Sequence, residues 1–258
     1  RGWIHPILIG DPDAIKAEAE AANLTFHPDQ VLPAWNEAEA AQRAAGLLKS
    51  GSTHAAMKGL IHTDVLLKEL LNANAGLRQP GARVSHVFLA DIPAYPKLLA
   101  ITDAAVNIAP DLGAKAAILQ HAIDLMVSIG IDQPKAAILS AIETVNPLIS
   151  SSLDAAALSV MSLRGQVRGA VVDGPLAFDN AISLKAAEIK GIASPVAGDA
   201  DILLVPDLVS GNILAKNLEY MADAMLAGLV LGLNAPIVLP SRADPVNARL
   251  AGLALARL

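Results

Sequence analysis

Cysteine is absent from the 258 residues of this sequence. Its absence excludes disulfide bonds, thiolate nucleophiles and zinc sites built from thiolates. Aromatic residues make up only 3% of the chain and charged residues 17%, whereas apolar residues reach 53%. The core must therefore be aliphatic, which suits parallel strands covered by helices on both faces. The composition predicts an α/β fold.

Basic residues are few, and no stretch of the chain concentrates them. Lys and Arg total 19 against 25 Asp and Glu, for a net charge of −6, so a nucleic-acid partner is not expected. The most apolar window, residues 221–240, contains Asp223, Asn234 and Pro236 and indicates a helix, a turn and a strand rather than a membrane span. No signal-peptide pattern follows Arg1. We expect a cytoplasmic protein without a membrane partner.

Several standard motifs are missing as well. The sequence contains no G-x-G-x-x-G after a strand, no P-loop and no G-x-S-x-G elbow, so the usual signals of nucleotide binding and serine hydrolysis are absent. The six histidines form no H-E-x-x-H motif, and nothing in the spacing of the carboxylates indicates a metal site. We expect neither a metal nor a tightly bound cofactor.

Apolar runs and helical periodicities alternate along the chain. Strands are predicted at 4–9, 84–89, 136–139, 169–172, 202–205 and 237–239, with a strand end at 55–59, and helices at 11–22, 35–49, 65–71, 113–128, 154–163, 181–190, 213–226 and 246–255. This spacing fits βαβ units and a parallel sheet. Prolines interrupt the alternation at residues 91–97, where we place a crossing between domains. The apolar segment 221–233 is predicted as a helix that can supply an interface.

Polar residues collect after five of the predicted strands. They are Lys58-Gly59 with His62-Thr63, then Thr144 and Asn146, Asp173 with Asp179-Asn180, Asp207 with Gly211-Asn212, and Ser241-Arg242 with Asp244. Carboxyl ends of parallel strands meet at one edge of a sheet, so a single cleft is predicted there. Capping of helices is the structural alternative for these residues.

The stretch from Ile237 to Asp244 is the most informative of the five. It predicts a buried strand, a tight turn and a helix whose first turn carries the polar groups. Ser241 is either a helix cap or a contact to a ligand. Lys58 is either a solvated lysine or a phosphate contact beside a helix start that Thr63 would cap. His62 has the same two interpretations, a capping or packing residue and a ligand contact.

Several segments together resemble the phosphate acetyltransferase/phosphate butyryltransferase family. They are M-K-G at 57–59, I-T-D-A-A-V-N at 101–107, D-G-P-L-A-F-D-N-A at 173–181, S-P-V-A-G at 194–198, A-D-I-L-L-V-P-D-L at 200–208, G-N at 211–212 and S-R at 241–242. The resemblance covers the whole chain. The form S-R-A-D looks closer to the butyryl branch and to members linked to enoyl-CoA hydratase domains.

The resemblance implies two α/β domains of the isocitrate/isopropylmalate dehydrogenase type. Each would be a three-layer sandwich with a parallel sheet, with the active site in the cleft between them. Domain I would comprise residues 1–97 and 237–258, and domain II residues 98–236. A homodimer is expected, and so are further residues before Arg1 and after Leu258.

Members of this family move an acyl group between coenzyme A and inorganic phosphate, so the expected partners are these small molecules and coenzyme A is a substrate. By the resemblance, Ser241 binds the thiol, Arg242 binds the phosphate and an aspartate seven residues after the serine is the base. That position is Ala248 here, and Asp244 is the nearest substitute. The other residues expected to bind substrate are Lys58, Gly59, His62, Thr63, Thr144, Asn146, Asp173, Asp207, Gly211 and Asn212.

The chemistry explains why such residues are needed. A thiol with a pKa of about 8.5 is mostly protonated at neutral pH, so a carboxylate that takes its proton promotes attack on the acyl carbon. An arginine holds a phosphate through two parallel hydrogen bonds. Acetyl, propionyl and butyryl groups are the expected acyl chains, transferred directly and without a metal.

Two alternatives remain at this stage. The first is a regulatory domain of a malic enzyme that senses acetyl-CoA without turning it over, which the presence of Ser241 and Arg242 disfavours. The second is a metal-dependent dehydrogenase of the isopropylmalate type. That chemistry needs a carboxylate cluster and a dinucleotide site, and the sequence indicates neither.

Overall fold

The computed structural model describes residues 4–78 and 81–257. The chain packs as two compact units, the first from the described residues up to 78 with Leu233–Ile237 and the second from Gly81–Gly232 with residues 238–257. Their bounds differ from those of the predicted domains at residues 81–97, 233–236 and 238–257, and the division into domains stays a prediction. Residues 81–97 belong to the second unit because β4 (Ser85–Asp91) pairs with a strand of that unit on each side.

The first unit contains short strands and three helices in its described part. In chain order the elements are β1 (Leu8–Gly10), α1 (Pro12–Ala21), β2 (Val31–Pro33), α2 (Glu37–Lys49), β3 (Ala56–Met57) and α3 (Thr63–Leu70). β1 and β2 pair in parallel. The segment Leu233–Ile237 is joined to the rest of this unit by backbone hydrogen bonds. The N–H of Asn234 donates to the carbonyl of Leu77, and the N–H of Ala56 donates to the carbonyl of Pro236.

The second unit alternates strands and helices after β4. Its elements are β5 (Leu99–Thr102), α4 (Leu112–Ser128), β6 (Lys135–Leu139), α5 (Ser150–Leu163), β7 (Val171–Leu176), α6 (Phe178–Ile182), α7 (Leu184–Ile189), β8 (Ile202–Leu204), α8 (Leu208–Met221), β9 (Met225–Leu231) and α9 (Val246–Leu255). A further short strand, β10 (Ile237–Val238), lies where the chain passes from the first unit into the second.

Most strands of the second unit are parallel. The order is β9-β4-β5-β8-β6-β7, in which β4 runs antiparallel to both of its neighbours and the pairs β5–β8, β8–β6 and β6–β7 are parallel. Because β4 is antiparallel to both β9 and β5, these two strands run parallel to each other. The predicted α/β class with a mostly parallel sheet is confirmed, whereas the description as two three-layer sandwiches stays a prediction.

Several helices begin at a side chain that accepts a backbone N–H. Asp11, Asn36, Asp111 and Asp207 cap α1, α2, α4 and α8 with bonds of 2.7–2.9 Å. Such caps satisfy donors that the first helical turn leaves unpaired, and each contributes about 1 kcal/mol. These four polar capping residues therefore set where the helices begin.

The core of the second unit is aliphatic, as the composition predicts. Large side chains that are almost completely buried include Leu99, Ile101, Ile118, Ile202 and Leu203. They lie on central strands and on α4, and burial of each contributes about 1.5–3 kcal/mol. Among the described residues, no helix is both long enough and apolar enough to span a bilayer.

The segment 221–233 was predicted as an apolar helix, and this prediction is wrong. Helix α8 ends at Met221, Asp223 adopts a left-handed conformation with φ of 52°, and Met225–Leu231 forms the buried strand β9. A continuous apolar run has no periodicity that separates a buried strand from a buried helix. The interface assigned to such a helix is therefore not available from these residues.

Charged groups hold the amino ends of β6 and β8 together. Lys97 Nζ lies 2.7 Å from Asp199 Oδ1 and 2.8 Å from Asp201 Oδ1, and Lys135 Nζ lies 2.7 Å from Asp199 Oδ2. The backbone N–H of Lys135 donates to Asp201 Oδ2 at 2.7 Å. Hydrogen bonds from Lys135 and Lys97 lower the pKa of Asp199. Asp201 is only 6% exposed, so little water is available to replace its carboxylate as the acceptor for Lys97 and Lys135.

We expect Asp201→Asn to lower the free energy of unfolding by about 1–3 kcal/mol, because an amide leaves a buried donor without an acceptor. Urea denaturation of the two proteins measures the difference. The matched control is Asp132→Asn, since Asp132 is exposed and its replacement should change stability by less than about 0.5 kcal/mol. Equal stability of wild type and Asp201→Asn would contradict the assigned role.

Candidate active site

One edge of the second sheet collects most of the predicted site residues of this unit. β5, β8, β6 and β7 are parallel, so their carboxyl ends lie at the same edge. Thr144 and Asn146 follow β6, and Asp207, Gly211 and Asn212 follow β8. Open α/β sheets bind ligands at this edge. The prediction that polar residues follow these strands is therefore confirmed for β6 and β8.

The first turn of α8 packs against the turn that follows β5. A Cβ atom at Gly211 would lie 2.8 Å from the carbonyl oxygen of Asp103 and 2.7 Å from Cγ2 of Val205, so only glycine fits. Asn212 Nδ2 approaches the carbonyl oxygen of Ala104 at 3.4 Å. Asp207 caps the helix by accepting the N–H of Ser210 at 2.8 Å. These contacts place the exposed Asn212 at the sheet edge.

The same helix start offers fewer donors to an anion than the sequence indicates. The N–H of Ser210 is taken by Asp207, and the N–H of Leu208 donates to the carbonyl of Ile108 at 3.1 Å. Asp207 also places a carboxylate there. The side chain of Asn212, rather than the helix amides alone, is thus the group that this segment presents.

The loop between β6 and α5 is organised around Asn146. Its Oδ1 accepts the N–H of Leu148 at 2.9 Å, and its own N–H donates to Ser152 Oγ at 2.9 Å. Ser140 and Ser151 pair through their hydroxyls at 2.9 Å. Thr144 is exposed at this loop. Asn146 therefore has a structural role whether or not it contacts a ligand.

Asp173 lies in a different place from the one that the sequence indicates. The predicted strand ended at Val172, but β7 continues to Leu176 and contains Asp173, whose Oδ1 accepts the N–H of Gly174. The strand continues because the D-G-P segment stays extended beside β6. Three residues of strand, about 10 Å, separate Asp173 from the carboxyl edge, where Asp179 and Asn180 follow instead.

The turn that carries Ser241, Arg242 and Asp244 is closed on itself. Asp244 Oδ2 accepts the N–H of Ser241 at 2.8 Å, and the N–H of Asp244 donates to the carbonyl of Ser241 at 3.2 Å. Arg249 supports the turn by donating to the carbonyls of Asp244 and Arg242, each at 3.2 Å. Helix α9 begins at Val246, as predicted, but Ser241, Arg242 and Asp244 form a separate turn before it rather than its first turn.

The environment of Asp244 changes its acidity. Burial raises the pKa of Asp244, the charge of Glu219 raises it further, and the hydrogen bond from Ser241 opposes both. A raised pKa makes the carboxylate a stronger base, which suits a group that must take a proton from a thiol. Arg242 is exposed beside it.

In the first unit, the predicted phosphate contacts are engaged by the protein itself. Lys58 is 6% exposed and its Nζ donates to the carbonyl of Gly59 at 3.2 Å. His62, not Thr63, is the N-cap of α3, and its Nδ1 lies 2.8 Å from Glu37 Oε1 while its N–H donates to Glu37 Oε2. Because Glu37 brings a carboxylate to this helix start, it occupies the position where an anion would be favoured.

Two buried residues next to the edge were not selected from the sequence. Asp103 is 2% exposed and His86 is 1% exposed. Burial lowers the pKa of His86 to about 4, against an opposing effect of the Asp103 charge. His86 Nδ1 has no hydrogen-bond partner within the described chain. Asp103 is marked only by its place in the I-T-D-A-A-V-N segment, and no spacing rule connects it with His86.

A network of charged residues fastens the loop after β6. Lys190 Nζ contacts Glu143 Oε1 and lies 2.9 Å from Asp179 Oδ2, and Asn180 Nδ2 donates to Glu143 Oε1 at 2.5 Å. Hydrogen bonds from Lys190 lower the pKa of both carboxyls. The carbonyl of Asn180 accepts the N–H of Gly198. The D-N-A and S-P-V-A-G segments thus support one another.

Within residues 4–78 and 81–257, no three His, Asp or Glu side chains are grouped so that they could hold a metal ion. The polar groups of the segments described above include an amide, hydroxyls, an arginine and carboxylates. These groups can bind an anion and an amide-containing ligand and can accept a proton.

Comparison with known proteins gives a consistent result. The family model described as phosphate acetyl/butaryl transferase matches residues 30–256. A phosphate acetyltransferase of Rhizobium meliloti is 51% identical over 257 residues, which cover all of this chain and 81% of the relative. A phosphate butyryltransferase of Clostridium acetobutylicum is 41% identical over 257 residues, covering 100% of this chain and 85% of the relative.

A solved structure is also similar. The branched-chain phosphotransacylase of Enterococcus faecalis V583 superimposes with a TM-score of 0.79 at 31% identity, covering 97% of this chain and 98% of the other. Identity is higher with the acetyltransferase of Rhizobium meliloti than with the butyryltransferase of Clostridium acetobutylicum. Overall identity therefore does not favour the butyryl branch that the S-R-A-D form indicated.

The buried His86 makes stability dependent on pH. Its pKa is lowered to about 4 in the folded chain from about 6.5 in the unfolded chain, so the unfolded state binds more protons between these values. Stability should be fully present above pH 6.5 and fall as the pH decreases towards 4, by about 3 kcal/mol from this residue.

The test is the free energy of unfolding of wild type and His86→Gln from pH 4.5 to 8. We expect the variant to lose less stability on acidification than wild type. His121, whose pKa is also lowered by burial, contributes in both proteins and cancels in the comparison. Parallel curves for the two proteins would rule out His86 as the source.

Proposed function

The chain belongs to the phosphate acetyl/butaryl transferase family and is a phosphate acyltransferase, and from this premise we propose that Ser241, Arg242 and Asp244 carry its chemistry. The acyl group passes between coenzyme A and inorganic phosphate. The observation that carries the proposal is the closed turn in which the carboxylate of Asp244 accepts the N–H of Ser241 at 2.8 Å. It holds the carboxylate of Asp244 against the backbone of Ser241, within four residues that also carry a hydroxyl and a guanidinium.

The proposed step is a direct transfer. Asp244 takes the proton of the coenzyme A thiol, the sulfur attacks the carbonyl carbon of the acyl phosphate, and the carbon–oxygen bond to phosphate breaks. The products are acyl-CoA and phosphate, and Asp244 passes the thiol proton to the leaving phosphate, which restores the carboxylate; acyl-phosphate formation runs the same steps backwards. Burial supports this role because it raises the pKa of Asp244 towards the working range.

Arg242 would bind the phosphate. A guanidinium donates two parallel hydrogen bonds to phosphate oxygens and stabilises the negative charge that grows as the bond breaks. The exposed position of Arg242 leaves its side chain accessible to a ligand. The Ser241 hydroxyl would orient the sulfur, so no covalent bond to the enzyme is needed.

The remaining predicted residues stay proposals with different support. Gly211 and Asn212 are supported by the position of α8, because the amide of Asn212 suits the amide-containing arm of coenzyme A. Thr144 and Asn146 lie at the same edge of the sheet. Lys58, Gly59, His62, Thr63, Asp173 and Asp207 also stay proposed substrate contacts, and Lys58, His62 and Asp207 hydrogen-bond to the protein as well.

Several further properties remain proposals. Acetyl, propionyl and butyryl are the acyl groups we propose, with coenzyme A as substrate rather than tightly bound cofactor. A homodimer and a cytoplasmic location are proposed from the resemblance. The relatives reported above are named as transferases, and none favours the acetyl-CoA-sensing alternative.

Replacing Arg242 tests the phosphate contact. We expect Arg242→Ala to lower the rate of acyl-phosphate formation at least about tenfold, and Arg242→Lys to be intermediate because it keeps the charge but loses the planar fork. Release of free thiol from acetyl-, propionyl- and butyryl-CoA in the presence of phosphate measures the rate and ranks the acyl groups. The control is Arg164→Ala, an exposed arginine at the end of α5. Near-normal turnover of Arg242→Ala would remove Arg242 from the mechanism.

Two variants test the base. Asp244→Asn keeps an oxygen for the N–H of Ser241 but cannot take a proton, so kcat/KM should fall about 10²–10⁴-fold and lose its acidic limb. Glu219→Gln removes a charge that raises the pKa of Asp244, so the acidic limb should move to lower pH while the plateau is retained. An unchanged profile of kcat/KM against pH in both variants would identify another group as the base.

A further inference from the structure

The turn after β5 is built around the buried carboxylate of Asp103. Its Oδ1 accepts the N–H groups of Ala105 and Val106, each at 2.9 Å. Its Oδ2 accepts the N–H of His86 at 3.1 Å and Nδ2 of Asn107 at 2.6 Å. All four partners are donors. An asparagine amide in place of this carboxylate has only one oxygen. It could therefore accept no more than two of these four hydrogen bonds with the same geometry.

This turn is the surface on which the first turn of α8 rests. The N–H of Leu208 donates to the carbonyl of Ile108, and Asn212 Nδ2 approaches the carbonyl of Ala104. Gly211 touches the backbone of Asp103 so closely that a Cβ atom would lie 2.8 Å from its carbonyl oxygen. Any movement of the turn is therefore transmitted to Asn212 by direct contact.

His86, whose N–H donates to Asp103, lies close to the segment that leads to Ser241. Thr102 Oγ1 donates to the carbonyl of His86 at 2.8 Å, so His86 is held at both backbone groups. His86 Nε2 and the carbonyl oxygen of Leu239 each lie 2.9 Å from the point that a Cβ at Gly228 would occupy. The N–H of Leu239 donates to the carbonyl of Gly228 at 2.9 Å. The chain leading to Ser241 thus packs beside His86.

We infer that Asp103 is a positioning residue for acyl transfer, because it holds the turn that places Asn212 at the sheet edge. It touches no substrate itself. Its four hydrogen bonds fix residues 103–107, and these fix the start of α8. The inference rests on the proposed contact between Asn212 and substrate.

The test is a double-mutant cycle of Asp103→Asn and Asn212→Ala, with kcat and KM for coenzyme A measured separately. Each single variant should lower kcat/KM at least about tenfold, since small displacements of a binding group are costly. If Asp103 acts through Asn212, the loss in the double variant should be smaller than the product of the single losses by at least about threefold.

The outcomes separate this inference from the proposed function. Losses that multiply fully would overturn the positioning role while leaving Asn212 in the site. Normal kinetics of Asn212→Ala would remove Asn212 from the proposed site and with it the route through which Asp103 acts. Normal kinetics of Asp103→Asn with a damaged Asn212→Ala would overturn the inference alone.

A matched control distinguishes position from stability. Asp201 is another buried aspartate of the same sheet, but it precedes β8 and so lies at the opposite edge from Asp103. Asp201→Asn should lower the unfolding midpoint without changing KM for coenzyme A. If Asp201→Asn and Asp103→Asn raised KM equally, the effect of Asp103 would be a general loss of structure.

A milder variant keeps the test available if Asp103→Asn does not fold. Asn107→Ala removes one donor to Asp103, together with the bond from Asn107 Nδ2 to the carbonyl of Val84. Asn107→Ala should lower kcat/KM less than Asp103→Asn does. Combined with Asn212→Ala, it should again give a loss smaller than the product of the two single losses. Independent effects of Asn107→Ala and Asn212→Ala would contradict the inference.

Discussion

Parallel pairing of β5, β8, β6 and β7 is the constraint on which the site depends. Parallel strands bring their carboxyl ends to one edge, and each connection must cross the sheet as a helix before the next strand begins. Residues far apart in sequence, such as Ala104 and Asn212, therefore meet at that edge. The aliphatic core stabilises this arrangement, because strands covered on both faces need apolar side chains on both.

Close backbone contacts then determine how the polar groups are held. Gly211 allows α8 to touch the turn after β5, and Gly228 leaves room for His86 and the carbonyl of Leu239. At Gly198, which has a φ of 81°, a Cβ atom would lie 2.4 Å from Cα of Leu184. At these three glycines the absence of a Cβ atom lets neighbouring segments approach closely.

Sequence reasoning succeeded where the signal is local. Asp207 caps the helix that follows it, in line with the capping alternative for the polar residues, and the strands β6 and β8 lie within two residues of their predicted bounds. It failed at β9, because a buried apolar run carries no periodicity. It also placed Asp173 beyond a strand that in fact continues through it.

The sequence by itself determined the α/β class, the aliphatic core and the family, because composition, caps and specific motifs are properties of short segments. Tertiary structure alone decided which polar groups meet. The hydrogen bonds that Asp103 receives from His86 and Asn107, and the contact of Gly211 with the Asp103 carbonyl, join strands and helices separated along the chain. No local pattern encodes such contacts, since they depend on strand order and on the register of the sheet.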